Sequence, residues 1–140
     1  MSPFPSVLIS SCLLGFPTAY DGRGRLDIGT LRLQKGKILI PVCPECLGGL
    51  PTPRVPSEIQ ADGSVRDQEG KDCTKAFMKG AASVFRIALS DDVDSAILKD
   101  QSPSCGVHTI YDGSFTHTTI PGMGKTSAYL KKKGIKVSTS

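Results

Sequence analysis

The residues most suited to chemistry are three cysteines, Cys12, Cys43 and Cys105, each of which closely follows a short apolar run. Uninterrupted apolar runs of this kind are typical of strands in a parallel sheet that is covered on both faces. In open α/β sheets, ligands bind outside the carboxyl ends of the strands. The pattern therefore predicts that the three thiols converge on one crevice. The runs span residues 6–10, 37–42 and 95–99.

Inert burial is the alternative for these thiols, because a free cysteine packs as a small hydrophobic side chain. It suits Cys73, at the start of a predicted helix, and is open for Cys46, but Gly, Pro and Ser surround the other three. The chain has five cysteines, an odd number, and its first apolar stretch is too short for a signal core. We therefore expect a cytoplasmic protein with reduced thiols rather than a disulfide framework.

Three thiolates around one crevice favour an iron–sulfur cluster over a zinc site. The pair Cys43 and Cys46 has Cys-x-x-Cys spacing, but no second pair or suitably spaced His completes a zinc site. A cluster held by three thiolates leaves one iron open as a Lewis acid toward a soft ligand such as sulfur. Glu45 is then either the acid–base group beside the cluster or an ordinary loop carboxylate.

Two other interpretations of the cysteines remain open from the residues alone. One is a non-catalytic iron–sulfur or metal-binding module, such as a sulfur carrier or redox sensor. The other is a dithiol protein that uses Cys43 and Cys46 without a cluster. The second requires Cys43 at a helix N-terminus, where the helix dipole lowers the pKa of a thiol.

The segments that must position these residues alternate between strands and helices. Residues 74–89 place apolar side chains at helical spacing, with Thr74 as the expected N-cap. Residues 26–34 predict a short helix with Leu31 and Leu33 as core contacts. The last predicted helix ends at residue 134, and a strand follows it. The alternation predicts an α/β fold: a single three-layer Rossmann-like domain over residues 1–140, with a mostly parallel sheet of about four to five strands and a small added hairpin.

Two segments interrupt this alternation. Asp112-Gly113, between two β-prone runs, predicts a two-residue hairpin turn that places His108 opposite His117. Residues 60–71 predict an exposed excursion, such as a small hairpin.

The net charge of +4 is too mild to indicate nucleic-acid binding, and no segment is long and apolar enough to span a membrane. We also expect no obligate protein partner.

Five motifs resemble, in order, those of the thiouracil desulfurase family, from about residue 6 to residue 138. They are Ser11-Cys12-Leu13-Leu14-Gly15; Tyr20-Asp21-Gly22; Pro41-Val42-Cys43-Pro44-Glu45 with Leu47-Gly48-Gly49-Leu50-Pro51-Thr52-Pro53-Arg54; Ser102-Pro103-Ser104-Cys105-Gly106; and Asp112-Gly113-Ser114-Phe115.

The resemblance implies a [4Fe–4S] cluster held by Cys12, Cys43 and Cys105. A cluster with an open iron is sensitive to oxygen and can be lost in an aerobic preparation. The resemblance further implies hydrolytic desulfuration of 2-thiouracil or a related thiolated base or nucleotide, with release of hydrosulfide. Glu45 would activate water or move protons in this reaction.

The resemblance also implies roles for residues around the cluster. Ser102 and Ser104 would hydrogen-bond the substrate or a cluster sulfur. The expected substrate contacts are Tyr20, Asp21, Gly48 and Arg54. The chain has Thr18 where the family often carries a further Cys, so any redox or sulfur-relay role of that thiol would fall to Cys46.

Overall fold

The computed structural model describes residues 4–140. The strands, in chain order, are β1 Ser6–Ser10, β2 Ile38–Val42, β3 Ser57–Ile59, β4 Val65–Asp67, β5 Ser95–Ile97, β6 Thr109–Tyr111, β7 Thr119–Pro121 and β8 Lys136–Ser138. The helices are α1 Ile28–Leu33, α2 Pro44–Leu47, α3 Thr74–Ser90 and α4 Lys125–Lys132, and a 3₁₀ turn spans Ser11–Leu14.

Four parallel strands form the central sheet, in the order β2-β1-β5-β8. All four therefore end at the same edge, which is where the predicted crevice must lie. β2 is at the outside of the sheet, a position that tolerates Pro41 because proline cannot donate a ladder hydrogen bond.

Both faces of this sheet are covered, because successive side chains of β1 point in opposite directions. Leu8 packs in a cluster with Val84 of α3 and Leu130 of α4. Val7 and Ile9 pack on the other face, in a cluster that includes Leu13. Two covered faces make three layers, which confirms the predicted Rossmann-like α/β fold.

The helix predictions hold except at two side chains. α3 buries Phe77, Ala81 and Ala88 as expected, but its N-cap is Cys73. The prediction of Thr74 as the cap was wrong, because its hydroxyl accepts a hydrogen bond from the Val65 amide (2.9 Å), across from the helix start in β4.

The prediction that Leu33 is a core contact was also wrong. Leu31 packs against the sheet, whereas Leu33 is 79% exposed. α1 has six residues, fewer than two turns, so it presents only a narrow stripe to the sheet.

Two antiparallel hairpins accompany the sheet, one in each of the two segments that interrupt the alternation of strands and helices. β3 and β4 form the hairpin expected in the excursion. In the second, β6 pairs with β7 so that Tyr111 lies opposite Thr119, and residues 112–118 form the loop. The predicted two-residue turn and the His108–His117 pair were therefore wrong. Glu58 of β3 holds this wider loop, since its Oε1 accepts the amides of Gly113 (3.0 Å) and Phe115 (3.1 Å).

No helix within residues 4–140 is long and apolar enough to cross a membrane.

Candidate functional site

A cavity of about 160 Å³ lies at the carboxyl edge of the sheet. The three cysteines singled out by their positions, Cys12, Cys43 and Cys105, all line it. The other lining residues are Ser10, Ser11, Thr18, Ala19, Tyr20, Arg25, Val42, Pro44, Glu45, Arg54, Lys99, Asp100, Gln101, Ser102 and Tyr111.

Each thiol reaches the cavity from a different strand end. Cys12 is on the 3₁₀ turn that follows β1, and Cys43 is the N-cap of α2, directly after β2. Cys105 is on the segment that follows β5 and is 4% exposed. The prediction that the three thiols converge agrees with this placement, because parallel strands bring their exits to one edge.

Asp100 holds the segment that carries Cys105. Its Oδ1 accepts the amides of Val107 (2.8 Å), His108 (3.0 Å) and Thr109 (3.2 Å). Burial works to raise the pKa of the Asp100 carboxyl, but these backbone hydrogen bonds favour the charged form and leave its pKa below the usual value.

The start of α4 holds the same segment in place through backbone hydrogen bonds. The amides of Lys125 and Thr126 donate to the carbonyls of Pro103 and Ser104, each at 2.9 Å. A Cβ on Gly124 would lie 2.5 Å from the Ser104 carbonyl oxygen, so only glycine allows this close approach.

The Glu45 side chain lies at the centre of a buried polar network. Its Oε1 accepts from the hydroxyls of Ser104 (2.5 Å) and Ser102 (3.4 Å). Its Oε2 accepts from the Nε of Arg54 (2.8 Å) and forms an ion pair with the Nη2 of the same side chain (2.7 Å). Glu45 is 9% exposed and touches the cavity, so it can exchange a proton with a group bound there.

Ser102 and Ser104 have different positions in this network. Ser102 lines the cavity, and its Oγ accepts the amides of Ser104 (3.1 Å) and Cys105 (3.0 Å). Ser104 is fully buried, and its Oγ lies 3.6 Å from the Cys105 sulfur. Ser102 can therefore contact a bound molecule directly, whereas Ser104 supports Glu45 and Cys105.

Burial favours the protonated form of the three thiols. It raises the pKa of Cys105 to about 12 and that of Cys43 to about 11. It also raises the pKa of Cys12, although Lys99 and Arg25 act in the opposite direction. Cys43 does stand at a helix start, but its pKa moves opposite to what a redox dithiol requires.

Cys46 does not line the cavity, although its thiol interacts with that of Cys43. It is exposed, and its sulfur lies 3.3 Å from the Thr52 hydroxyl. Thr18, at the position where the family often has Cys, lines the cavity and pairs its hydroxyl with that of Ser11 (2.6 Å).

The four expected substrate contacts fall into two groups. Tyr20 and Arg54 line the cavity. Asp21 instead pairs with Arg25 (2.8 Å), a lining residue, and Gly48 packs against α3, where a Cβ would lie 2.1 Å from the Ala76 carbonyl oxygen.

Sequence reasoning missed several lining residues, among them Lys99 and Tyr111. Lys99 lies two residues after the end of β5, so the rule that found the cysteines also points to it. Tyr111 is in the second hairpin, and no local pattern indicates that this hairpin folds over the cavity.

The donor set suits an iron–sulfur cluster. Within the part of the chain that the structure describes, no group of three or more His, Cys, Asp or Glu side chains is arranged to hold a single metal ion. Three thiols distributed around one cavity are instead the ligands that a multi-iron cluster takes.

The fold and the site together define an α/β protein with a thiol-lined cofactor cavity, and comparisons with known proteins specify its family. Residues 7–140 match the model of the 2-thiouracil desulfurase family. The uncharacterized protein YbbK of Bacillus subtilis (strain 168) is 36% identical, over 94% of this chain and 93% of YbbK. The solved structure of the [4Fe-4S]-dependent thiouracil desulfidase TudS is 37% identical, with a TM-score of 0.89 over 97% of this chain and 91% of that chain. This chain belongs to the 2-thiouracil desulfurase family, which confirms the resemblance seen in its motifs.

Proposed function

We propose that this protein is an iron–sulfur-dependent desulfurase that converts a thiolated pyrimidine such as 2-thiouracil to its oxo form. The family assignment and the likeness to TudS support this proposal. The observation that carries it is the meeting of three thiols and a buried carboxylate in one cavity.

Cys12, Cys43 and Cys105 are the residues that would hold a [4Fe–4S] cluster. When bound, such a cluster supplies an open iron that polarises the C–S bond through the substrate sulfur. A ligand set of three rather than four cysteines is what leaves that iron open.

Glu45 is the group on this chain that would accept a proton from the attacking water. The water oxygen bonds to the C–S carbon, the C–S bond breaks, and the sulfur leaves as hydrosulfide. The reaction is a hydrolysis with no net electron transfer, so it needs no further reductant. Ser102, beside Glu45 and open to the cavity, would hydrogen-bond the substrate.

The substrate ring would contact the aromatic side chains on the cavity wall. Tyr20 and Tyr111 both line the cavity, and aromatic rings pack well against a planar base. Asp21 would act on this wall through Arg25, and Gly48 through the close packing of α2 on α3.

We place the reaction in the cytoplasm, where the five unpaired cysteines of the protein would stay reduced.

Iron and acid-labile sulfide analysis of anaerobically reconstituted protein tests the cofactor. We expect about four irons per chain and a broad absorption near 400 nm, both lost in Cys105→Ala. Cys73→Ala is the matched control, because Cys73 is buried away from the cavity, in the cluster with Phe77. Release of sulfide from 2-thiouracil by the loaded protein then tests the activity. Absence of iron uptake, or a fully loaded protein that releases no sulfide, would reject the proposal.

A further inference from the structure

Arg54 contacts two other lining residues of the cavity, which are carried by separate segments of the chain. Its Nε donates to Glu45 Oε2 (2.8 Å), on α2, and its Nη2 forms an ion-pair contact with the same oxygen (2.7 Å). Its Nη2 donates to the Thr18 carbonyl (3.0 Å). Its Nη1 donates to the Thr52 hydroxyl (2.9 Å) and to the Pro51 carbonyl (3.3 Å).

All three nitrogens of the guanidinium have partners in the protein. An arginine side chain carries five N–H groups, and Arg54 makes four hydrogen bonds and one further ion-pair contact at Nη2. Its side chain is 7% exposed. A substrate carbonyl or phosphate that approached Nε or Nη2 would have to displace the Glu45 carboxylate or the Thr18 carbonyl, which is costly when the pair is charged.

The backbone of Arg54 strengthens the same link. Its amide donates to the Tyr20 carbonyl (2.8 Å), so residue 54 is bound to the segment that carries both Thr18 and Tyr20. Burial acts against the charge of Arg54, but the neighbouring Glu45, Cys43 and Cys46 together outweigh it, so the pKa of the guanidinium lies above its usual value.

We propose that Arg54 is a positioning residue: it fixes the Glu45 carboxylate against the Thr18–Tyr20 wall and does not bind the substrate. This role rests on the proposed desulfurase function. Its physical basis is that a fork of N–H donors fixes both the place and the orientation of a carboxylate, which a single ammonium group cannot do.

Steady-state kinetics on Arg54→Met, Arg54→Lys and Glu45→Gln test the proposal, with the double variant Glu45→Gln/Arg54→Met. We expect Arg54→Met to lower kcat by about 100-fold, the lower range for loss of an acid–base group, and to change KM by less than about threefold. Arg54→Lys should recover only part of the loss. In the Glu45→Gln background, Arg54→Met should cause no further loss of kcat, because a residue that acts only through Glu45 has nothing left to position.

Other results would overturn it. A raised KM with unchanged kcat would show that Arg54 binds the substrate. Losses that multiply in the double variant would show a role independent of Glu45. Iron loss in Arg54→Met as large as in Cys105→Ala would show that Arg54 serves the cofactor site. If Arg54→Met fails to fold, Arg54→Gln is judged by the same criteria.

Arg66→Met is the matched control. Arg66, like Arg54, pairs with a carboxylate (that of Asp72, 3.7 Å), but it lies exposed on β4. Urea unfolding separates this proposal from the proposed function. If the loaded wild type releases no sulfide, the proposed function fails, but unfolding still tests the contact between Arg54 and Glu45. The double variant Glu45→Gln/Arg54→Met should then be no less stable than Arg54→Met. The reason is that Glu45→Gln removes the buried charge that Arg54→Met leaves unpaired. A double variant that is less stable by the sum of both single effects would contradict the coupling.

Discussion

At the scale of single residues, the site depends on which of several similar groups faces the cavity. Glu45 and Glu58 are both buried carboxylates, yet Glu58 holds a hairpin loop through backbone amides whereas Glu45 touches the cavity. Cys43 and Cys46 are three residues apart, yet one lines the cavity and the other is exposed. Position relative to the sheet edge, rather than residue type, separates each pair.

Glu45→Gln distinguishes a catalyst from a passive cluster protein. The amide has nearly the same shape but cannot accept a proton from water, so we expect kcat to fall by about 10²- to 10⁴-fold. Iron content should be unchanged, because Glu45 is not one of the three thiolate ligands. Sulfide release and iron analysis on one sample check this. A variant with wild-type turnover would show that Glu45 is not the proton acceptor, whereas no turnover in either protein would favour the non-catalytic module.

The Cys-x-x-Cys pair gives a second prediction at this scale. We expect Cys46→Ser to retain full iron content and turnover, because the Cys46 thiol is exposed and does not line the cavity. Cys43→Ser, three residues earlier, should lose the cluster. Equal iron loss in both variants would instead indicate that Cys46 takes part in ligation.

At the scale of elements, close backbone approaches keep the cavity walls in place. α2 carries Glu45, and it lies so near α3 that a Cβ on Gly80 would be 2.0 Å from the Pro44 carbonyl oxygen. Gly48, on the other side of this contact, is equally restricted by Ala76. Both glycines are thus needed for packing, which explains why a short, four-residue helix holds its position.

Gly80→Ala tests this contact between helices. The added methyl group must push α2 away from α3, so we expect a loss of about 1–3 kcal/mol in unfolding free energy, together with reduced iron uptake. Gly29→Ala in α1 is the control, since its Cβ would meet its nearest atom at an ordinary 3.5 Å. Chemical denaturation of both variants makes the comparison, and equal stability would refute the packing argument.

The segment after β5 allows a prediction from the lowered pKa of Asp100. Asp100→Ala leaves three backbone amides without their acceptor, so we expect a loss of about 1–3 kcal/mol in unfolding free energy. Because the folded pKa lies below the unfolded value of about 3.9, the carboxylate contributes fully above pH 4 and less as the pH falls below it. The difference between wild type and variant should therefore shrink in acid, as urea titrations at pH 7 and pH 3 would show; a constant difference would contradict this assignment.

At the scale of the whole molecule, the cofactor site connects parts that are far apart in sequence. Cys12, Cys43 and Cys105 follow three different strands, so one cluster would cross-link the exits of β1, β2 and β5. A group that binds only the folded chain adds its binding free energy to the stability of the fold.

Removal of the cluster should therefore destabilise the whole fold. We expect the unfolding temperature of the reconstituted protein to drop by at least about 5 °C after chelation, equivalent to roughly 1–2 kcal/mol for a chain of this size. Cys105→Ala, which we expect to be cluster-free from the start, should show no such drop. Calorimetry before and after chelation measures it, and identical temperatures would argue against a shared cluster.

The sequence alone determined the strand exits and therefore the site. Apolar runs are local signals of buried strands. Parallel pairing brings the carboxyl ends of these strands to one edge, regardless of the conformation of the connecting loops. Cys12, Cys43 and Cys105 could be selected on that basis, and the motifs indicated the family. The extent of the domain, one unit over residues 1–140, stays a prediction.

Only the tertiary structure decided which groups meet across that edge. The contact of Arg54 with Thr18, the place of Tyr111 and the packing of Gly80 each depend on segments that are distant in sequence. The second hairpin shows the same limit: Asp112-Gly113 favours a tight turn locally, but Glu58 binds the loop amides and a wider loop forms. Local patterns report what a segment prefers by itself, whereas long-range contacts supply the free energy that selects among those preferences.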